Sequence, residues 1–155
     1  MNLILLCFLI GCVAGLRAFT APAAICWGAH FGWLHFAGTK LWWIDHPVTL
    51  VLVTLAAIGE LVNDKLPTTP ARTVPANLIP RILFGGFSGA ALAVSANGNV
   101  PVAAVAGVIG ALAGTLGGYH ARRALVARAG LPDFAVALVE DLIAVGGGLL
   151  IVSHL

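Results

Sequence analysis

The polarity of this chain changes in long waves. Apolar segments cover about 47–63, 80–96, 101–121 and 134–153, separated by short polar stretches. At 1.5 Å per residue each is long enough, or nearly so, to cross a hydrocarbon core of about 30 Å. Inside a bilayer every backbone N–H and C=O needs a partner within its own segment, so the spans are predicted to be helices. The first 46 residues admit two readings. In one, residues 2–26 form a single span containing Arg17. Residues 27–46 then lie at the outer interface, where Trp27, Trp33, Trp42 and Trp43 sit at headgroup level. In the other, residues 2–17 form a short span that stops at Arg17, and Pro22 opens a second span that returns through Trp33. The predicted fold class is an all-α integral membrane bundle of five or six transmembrane helices in one domain, residues 1–155.

Internal repetition favours six. FLIGCVAGLRAF (8–19) lies on ILFGGFSGAALA (82–93), so that Leu9, Gly11 and Gly15 meet Leu83, Gly85 and Gly89. AIGELV (57–62) resembles LVEDLI (138–143), which sets Glu60 against Asp141. Both matches run in the same order. Three segments per half, near 1–65 and 78–155, would make a three-plus-three inverted repeat, because an odd number of crossings flips the second half.

Composition agrees with the membrane reading. Hydrophobic residues make up 60% of the chain and charged ones 9%, against about 25% charged in a soluble domain. A formal charge of +2 gives no reason to expect nucleic acid as a partner. The three cysteines lie in apolar sequence and form no CxxC pair, so neither a disulfide framework nor a zinc site is expected. LIGC (9–12) is similar to a lipoprotein cleavage box, but no Lys or Arg precedes it, and the segment is expected to stay as a membrane helix.

Loop charge predicts sidedness. The stretch 64–81 carries Lys65, Arg72 and Arg81, and 119–133 carries Arg122, Arg123 and Arg128; the turn at 97–101 carries none. Lys and Arg favour cytoplasmic loops, so the first two are expected inside and the termini outside. Four prolines, Pro67, Pro70, Pro75 and Pro80, are expected to hold 64–81 as an ordered, non-helical loop.

The remaining ionisable groups carry the chemistry. Arg17, Glu60, Glu140 and Asp141 fall within or at the margin of apolar spans, where one charge costs about 2.5–3.5 kcal/mol on the insertion scale. They are therefore expected to face one another or a wet cavity. Asp64 lies one turn from Glu60, on the same helix face. The candidate substrate or ion site is Arg17, Glu60, Asp64, Glu140 and Asp141. Lys65, Arg72, Arg81, Arg122 and Arg123 are the candidate inner-mouth or anionic-lipid contacts. Glu140 and Asp141, being adjacent, are expected to repel, so that one holds a proton or faces a neighbouring subunit. The glycines at helical spacing, Gly107, Gly110, Gly114, Gly117 and Gly118, together with the pairs Gly11/Gly15 and Gly85/Gly89, read first as helix-packing faces. His30, His35 and His46 lack the spacing of helical metal pairs, and no phosphate loop, nucleophile elbow or zinc-hydrolase motif is present. No metal and no cofactor are expected.

The blocks GLRAFTAP (15–22), GELVNDKLPTTPAR (59–72) and VEDLIAVGGG (139–148) occur in this order. With them the chain resembles a family of small bacterial membrane proteins, the domain of unknown function numbered 4126. The resemblance implies a bacterial inner-membrane location. It brings no settled activity, but it singles out Arg17, Glu60, Asp64, Lys65, Arg72, Glu140 and Asp141 as residues to test. The functional expectation is a transporter or channel for an ion or small solute, more a carrier than an enzyme. The thin bundle is expected to self-associate as a homo-oligomer in the lipid bilayer. The alternatives are a lipid-binding or lipid-modifying membrane protein, or a non-catalytic subunit of a membrane complex.

Overall fold

The computed structural model describes residues 2–65 and 74–155; Arg72 lies outside them. These residues form six helices: α1 (Leu3–Leu16), α2 (Thr20–His30), α3 (Pro47–Asn63), α4 (Pro75–Ser95), α5 (Val100–Ala127) and α6 (Asp133–Val152), with a 3-10 turn at Trp42–Asp45 before α3. No strand occurs among the described residues. Helices α4, α5 and α6 are long and apolar enough to cross a membrane, and α1 and α3 are shorter apolar helices. The chain is a helical membrane protein.

Residues 2–26 are not one span. Arg17 is the C-cap of α1 and leaves the helix in an extended conformation (φ −143°, ψ 110°). The chain then turns back through Ala18 and Phe19. α2 begins at Thr20, two residues before Pro22, which occupies the third position of the first turn. No intrahelical acceptor exists for an N–H there, so the missing proton costs nothing. α2 ends at His30, short of Trp33, and Gly32 (φ +75°) carries the chain into the turns that follow. Trp27 is not in the interfacial segment; it lies within α2 and its Nε1 donates to Thr54 Oγ1 of α3 at 3.2 Å.

Two later boundaries also differ from the sequence reading. α4 starts at Pro75, so Pro75 and Pro80 lie in a helix. Proline at the first position is preorganised for a helix, and Pro80 is tolerated in its second turn. α5 runs on to Ala127 because YHARRALVA is rich in strong helix formers, and it is about 42 Å long. The remaining connection to α6 contains Gly130 at φ +66°, a left-handed residue that suits glycine.

Consecutive helices alternate in direction between two ends. At one end Gly98 packs on Leu3, and Ser95 Oγ accepts from His35 N at 2.9 Å. The other end holds the α1–α2 break and most of the charges. α1, α4 and α5 form the tight side of the bundle. A methyl group on Gly11 would overlap the Gly107 carbonyl, one on Gly110 the Phe8 carbonyl, and one on Gly114 the Cys12 carbonyl. Gly85 and Gly89 of α4 press on Gly107, Ala111 and Ala103 of α5 in the same way. Cys7 Sγ donates to Gly89 O at 3.4 Å across the α1–α4 contact. The glycine stripes are helix-packing surfaces, where close approach supplies van der Waals contact that lipid cannot. A methyl group on Gly117 would meet nothing within 4 Å among the described residues, so this glycine belongs to no such face.

α3 is attached quite differently. Only Ala57 of its seventeen residues is buried, it packs mainly on α2, and it hardly touches α6.

Candidate functional site

The break between α1 and α2 creates two sets of orphaned backbone groups, the last carbonyls of α1 and the first amides of α2. Side chains from other helices satisfy both. Arg81 of α4 is 3% exposed and its Nη1 donates to Gly15 O at 2.8 Å and Leu16 O at 2.7 Å. Thr115 of α5 adds a bond to Gly15 O at 3.1 Å. Glu60 of α3 accepts from Ala18 N at 2.7 Å on one oxygen and from Phe19 N at 2.8 Å on the other. A cation thus sits on the negative end of the α1 dipole and an anion on the positive end of the α2 dipole. The two caps face each other, with Arg81 Nη2 3.8 Å from Glu60 Oε1.

Arg17 sits in the break and is fully buried. Its Nη1 donates to Asp64 of α3 at 2.5 Å and to its neighbour's carbonyl, Leu16 O, at 3.1 Å. Its Nε donates to Asp141 Oδ1 of α6 at 2.8 Å. Nη2 is 2.7 Å from that same oxygen but off the line of a hydrogen bond, and 3.9 Å from Glu140 Oε2. Lys65 binds the other oxygen of Asp141, and its Nζ also donates to Leu61 O at 2.9 Å. Arg122 of α5 forms two bonds to Asp133 at the start of α6, 2.7 and 2.6 Å, and lies 3.6 Å from Glu140.

One end of the bundle therefore gathers Arg17, Glu60, Asp64, Lys65, Arg81, Arg122, Asp133, Glu140 and Asp141. Five of the chain's six acidic residues are among them. A family model, Domain of unknown function (DUF4126), matches residues 4–154. The chain belongs to the DUF4126 family. No match was found among curated proteins or among solved structures. The three sequence blocks that resemble this family are the three arms of the charge network. GLRAFTAP supplies the helix break and Arg17, GELVNDKLPTTPAR supplies Glu60, Asp64 and Lys65, and VEDLIAVGGG supplies Glu140 and Asp141.

Within this DUF4126 chain the candidate residues fall into three groups. Arg17, Asp64, Lys65 and Asp141 form the central bridge between α1, α3 and α6. Glu60 and Arg81 are helix caps; Arg81, expected as an inner-mouth or anionic-lipid contact, is buried against the end of α1. Glu140 and Asp141 both lie inside the bundle, each with a cation within 4 Å, which relieves the repulsion expected of two adjacent carboxylates. Of the expected lipid-contact ring, Arg122 is engaged with Asp133 and Arg123 is exposed. Arg72 lies outside the described residues. Asp133 and Thr115 escaped the sequence reading. Asp133 carried a signal, since an acid at a helix start eleven residues after Arg122 closes a short turn; a lone threonine in a glycine-rich span carried none.

Proposed function

We propose that the protein is a small transporter for an ion or small solute, built on a three-plus-three inverted repeat, with the charge network as the latch at its cytoplasmic end. One observation carries the reading: Arg17, at a helix break, bridges α3 and α6 with Lys65 beside it on Asp141, and the two helices hardly touch one another elsewhere. Transporter folds place substrate groups at the ends of interrupted helices. Here α2 presents its N-terminus and Arg17 to the same place, an environment suited to an anionic group, and protein carboxylates occupy it. A solute anion that takes the place of Asp64 on Arg17 would loosen this joint and leave the Lys65–Asp141 pair as the remaining tie between α3 and α6. The repeat is supported by α1 and α4, which run antiparallel and present Gly11/Gly15 and Gly85/Gly89 to the same helix, α5. The halves have diverged, since α2 has 11 residues and α5 has 28.

Uptake into liposomes tests this reading. Purified protein should carry at least one member of a panel of chloride, inorganic phosphate and small carboxylates. The double variant Arg17→Gln/Asp64→Asn, which removes one charge of each sign, should lose that flux while keeping its helical content. Absence of flux across anions, cations and neutral solutes in folded wild-type protein would refute transport.

A further inference from the structure

Between α2, α3 and α6 lies a cleft of about 370 Å³, the space left because α3 and α6 do not close on each other. We propose that it holds one acyl chain of a glycerophospholipid whose headgroup lies at the charged end of the bundle. This site stands apart from the transport reading and does not depend on it.

The lining decides the class of occupant. Apart from Thr20, Thr54 and Trp27 the walls are apolar, with Leu61 and Leu149 typical of them. Trp27 donates to Thr54, so those two groups are already engaged with each other. Thr20 is 4% exposed and its hydroxyl has no hydrogen-bond partner among the described residues. A volume of this size would correspond to on the order of a dozen waters, each wanting about three hydrogen bonds. Three polar groups, two of them paired, cannot hold that much water, so the cleft takes hydrocarbon.

Length decides which hydrocarbon. The cleft follows α2 from Thr20 to Phe31, about 16 Å along the helix axis. That is roughly half of a 30 Å hydrocarbon core, the depth of one leaflet. A chain entering from the charged end would bring its ester group to the level of Thr20, the first residue of α2. An ester carbonyl accepts hydrogen bonds and cannot donate them, which complements a hydroxyl that lacks an acceptor. Lys65, one turn beyond Leu61 and partly exposed, lies on the headgroup side.

Native mass spectrometry of detergent-purified protein tests the proposal. Wild type should retain one phospholipid per chain through delipidating washes. Ala57→Phe, which fills the cleft from α3, should lose it; Leu149→Trp fills the same space from α6 and serves if the first variant does not fold. Thr20→Val should weaken retention several-fold while the apo protein melts at or above the wild-type temperature, because the hydroxyl it removes bonds nothing in the protein. Equal retention in a folded cleft-filling variant would overturn the site. Retention of a free fatty acid or of detergent, with no phospholipid, would overturn the choice of occupant. A purely structural role for Thr20 would lower the melting temperature of Thr20→Val and leave retention unchanged.

Discussion

The two sides of this bundle are held together by opposite means. On the α1/α4/α5 side, backbone meets backbone through glycine, and a methyl group has nowhere to go at Gly11, Gly107, Gly110 or Gly114. On the α2/α3/α6 side, α2 packs on both neighbours, but α3 and α6 stand apart along most of their length around an apolar cleft and are tied at one end by ions. Dispersion contacts fade within a fraction of an ångström of separation, whereas an ion pair in a low dielectric acts over several ångströms. The first side is therefore rigid in every small displacement. The second can change spacing at one end only by breaking or exchanging charges. A tight scaffold beside an ionically joined helix is the division of labour that the proposed transport would use.

The sharpest way to break the comparison is to put volume into the tight side. Gly110→Val should cost more than the usual 1–3 kcal/mol of core overpacking, because its nearest neighbour is the Phe8 carbonyl, which has no rotamer to move to. Loss of a cooperative melting transition in detergent is the expected result. Gly146→Val on α6, which meets nothing within 4 Å, is the control and should melt near wild type. Similar behaviour of the two would mean that the glycine contact is not what holds the scaffold.

The latch ranks next. Arg17→Met takes the shared cation from Asp64 and Asp141 in a buried setting, leaving Asp64 with Arg81 Nη2 at 3.9 Å and Asp141 with Lys65; removing one member of a buried pair costs about 3–5 kcal/mol. The loss is mainly the penalty of stranded carboxylates, so adding Asp64→Asn and Asp141→Asn to the same chain should recover a large part of it. Thermal unfolding of the single and triple variants measures both. If the triple variant were no more stable than Arg17→Met, the bond to Leu16 O and the packing of the guanidinium, rather than charge, would be holding the joint.

These regions were not equally legible in the sequence. The later helices were, because hydropathy is a sum over many residues and tolerates local error. That Arg17, Glu60, Asp64, Glu140 and Asp141 meet was legible from cost, since isolated charges in apolar helices are too expensive to scatter. The division of those charges between bridging and capping was not. Glu60 and Asp64 lie on one helix face, yet Glu60 serves two backbone amides while Asp64 serves a guanidinium. That difference depends on where the α1–α2 break falls against α3, which is tertiary geometry. Arg81 was misplaced for a related reason: the prolines before it suggested a loop, but Pro75 begins α4 and turns Arg81 inward onto Gly15 and Leu16. The cleft left no mark, because a cavity is an absence of contact and no residue type announces it.

The smallest effect concerns the rim of the charge network, and it tests whether geometry alone makes a pair strong. Arg122 and Asp133 have the most regular arrangement of any pair described, two parallel bonds of 2.7 and 2.6 Å. Asp133, however, is 60% exposed, and solvent-exposed pairs typically contribute about 0–1 kcal/mol. Arg17, with less regular geometry, is fully buried and should matter several times more. A double-mutant cycle of Arg122→Gln and Asp133→Asn isolates the pair from the Glu140 contact that Arg122 also makes at 3.6 Å. A coupling below about 1 kcal/mol that shrinks further in high salt is expected, because exposed charges are screened within about a Debye length. A salt-insensitive coupling as large as the loss in Arg17→Met would place this pair inside the latch and extend the ionic joint from α3–α6 to α5.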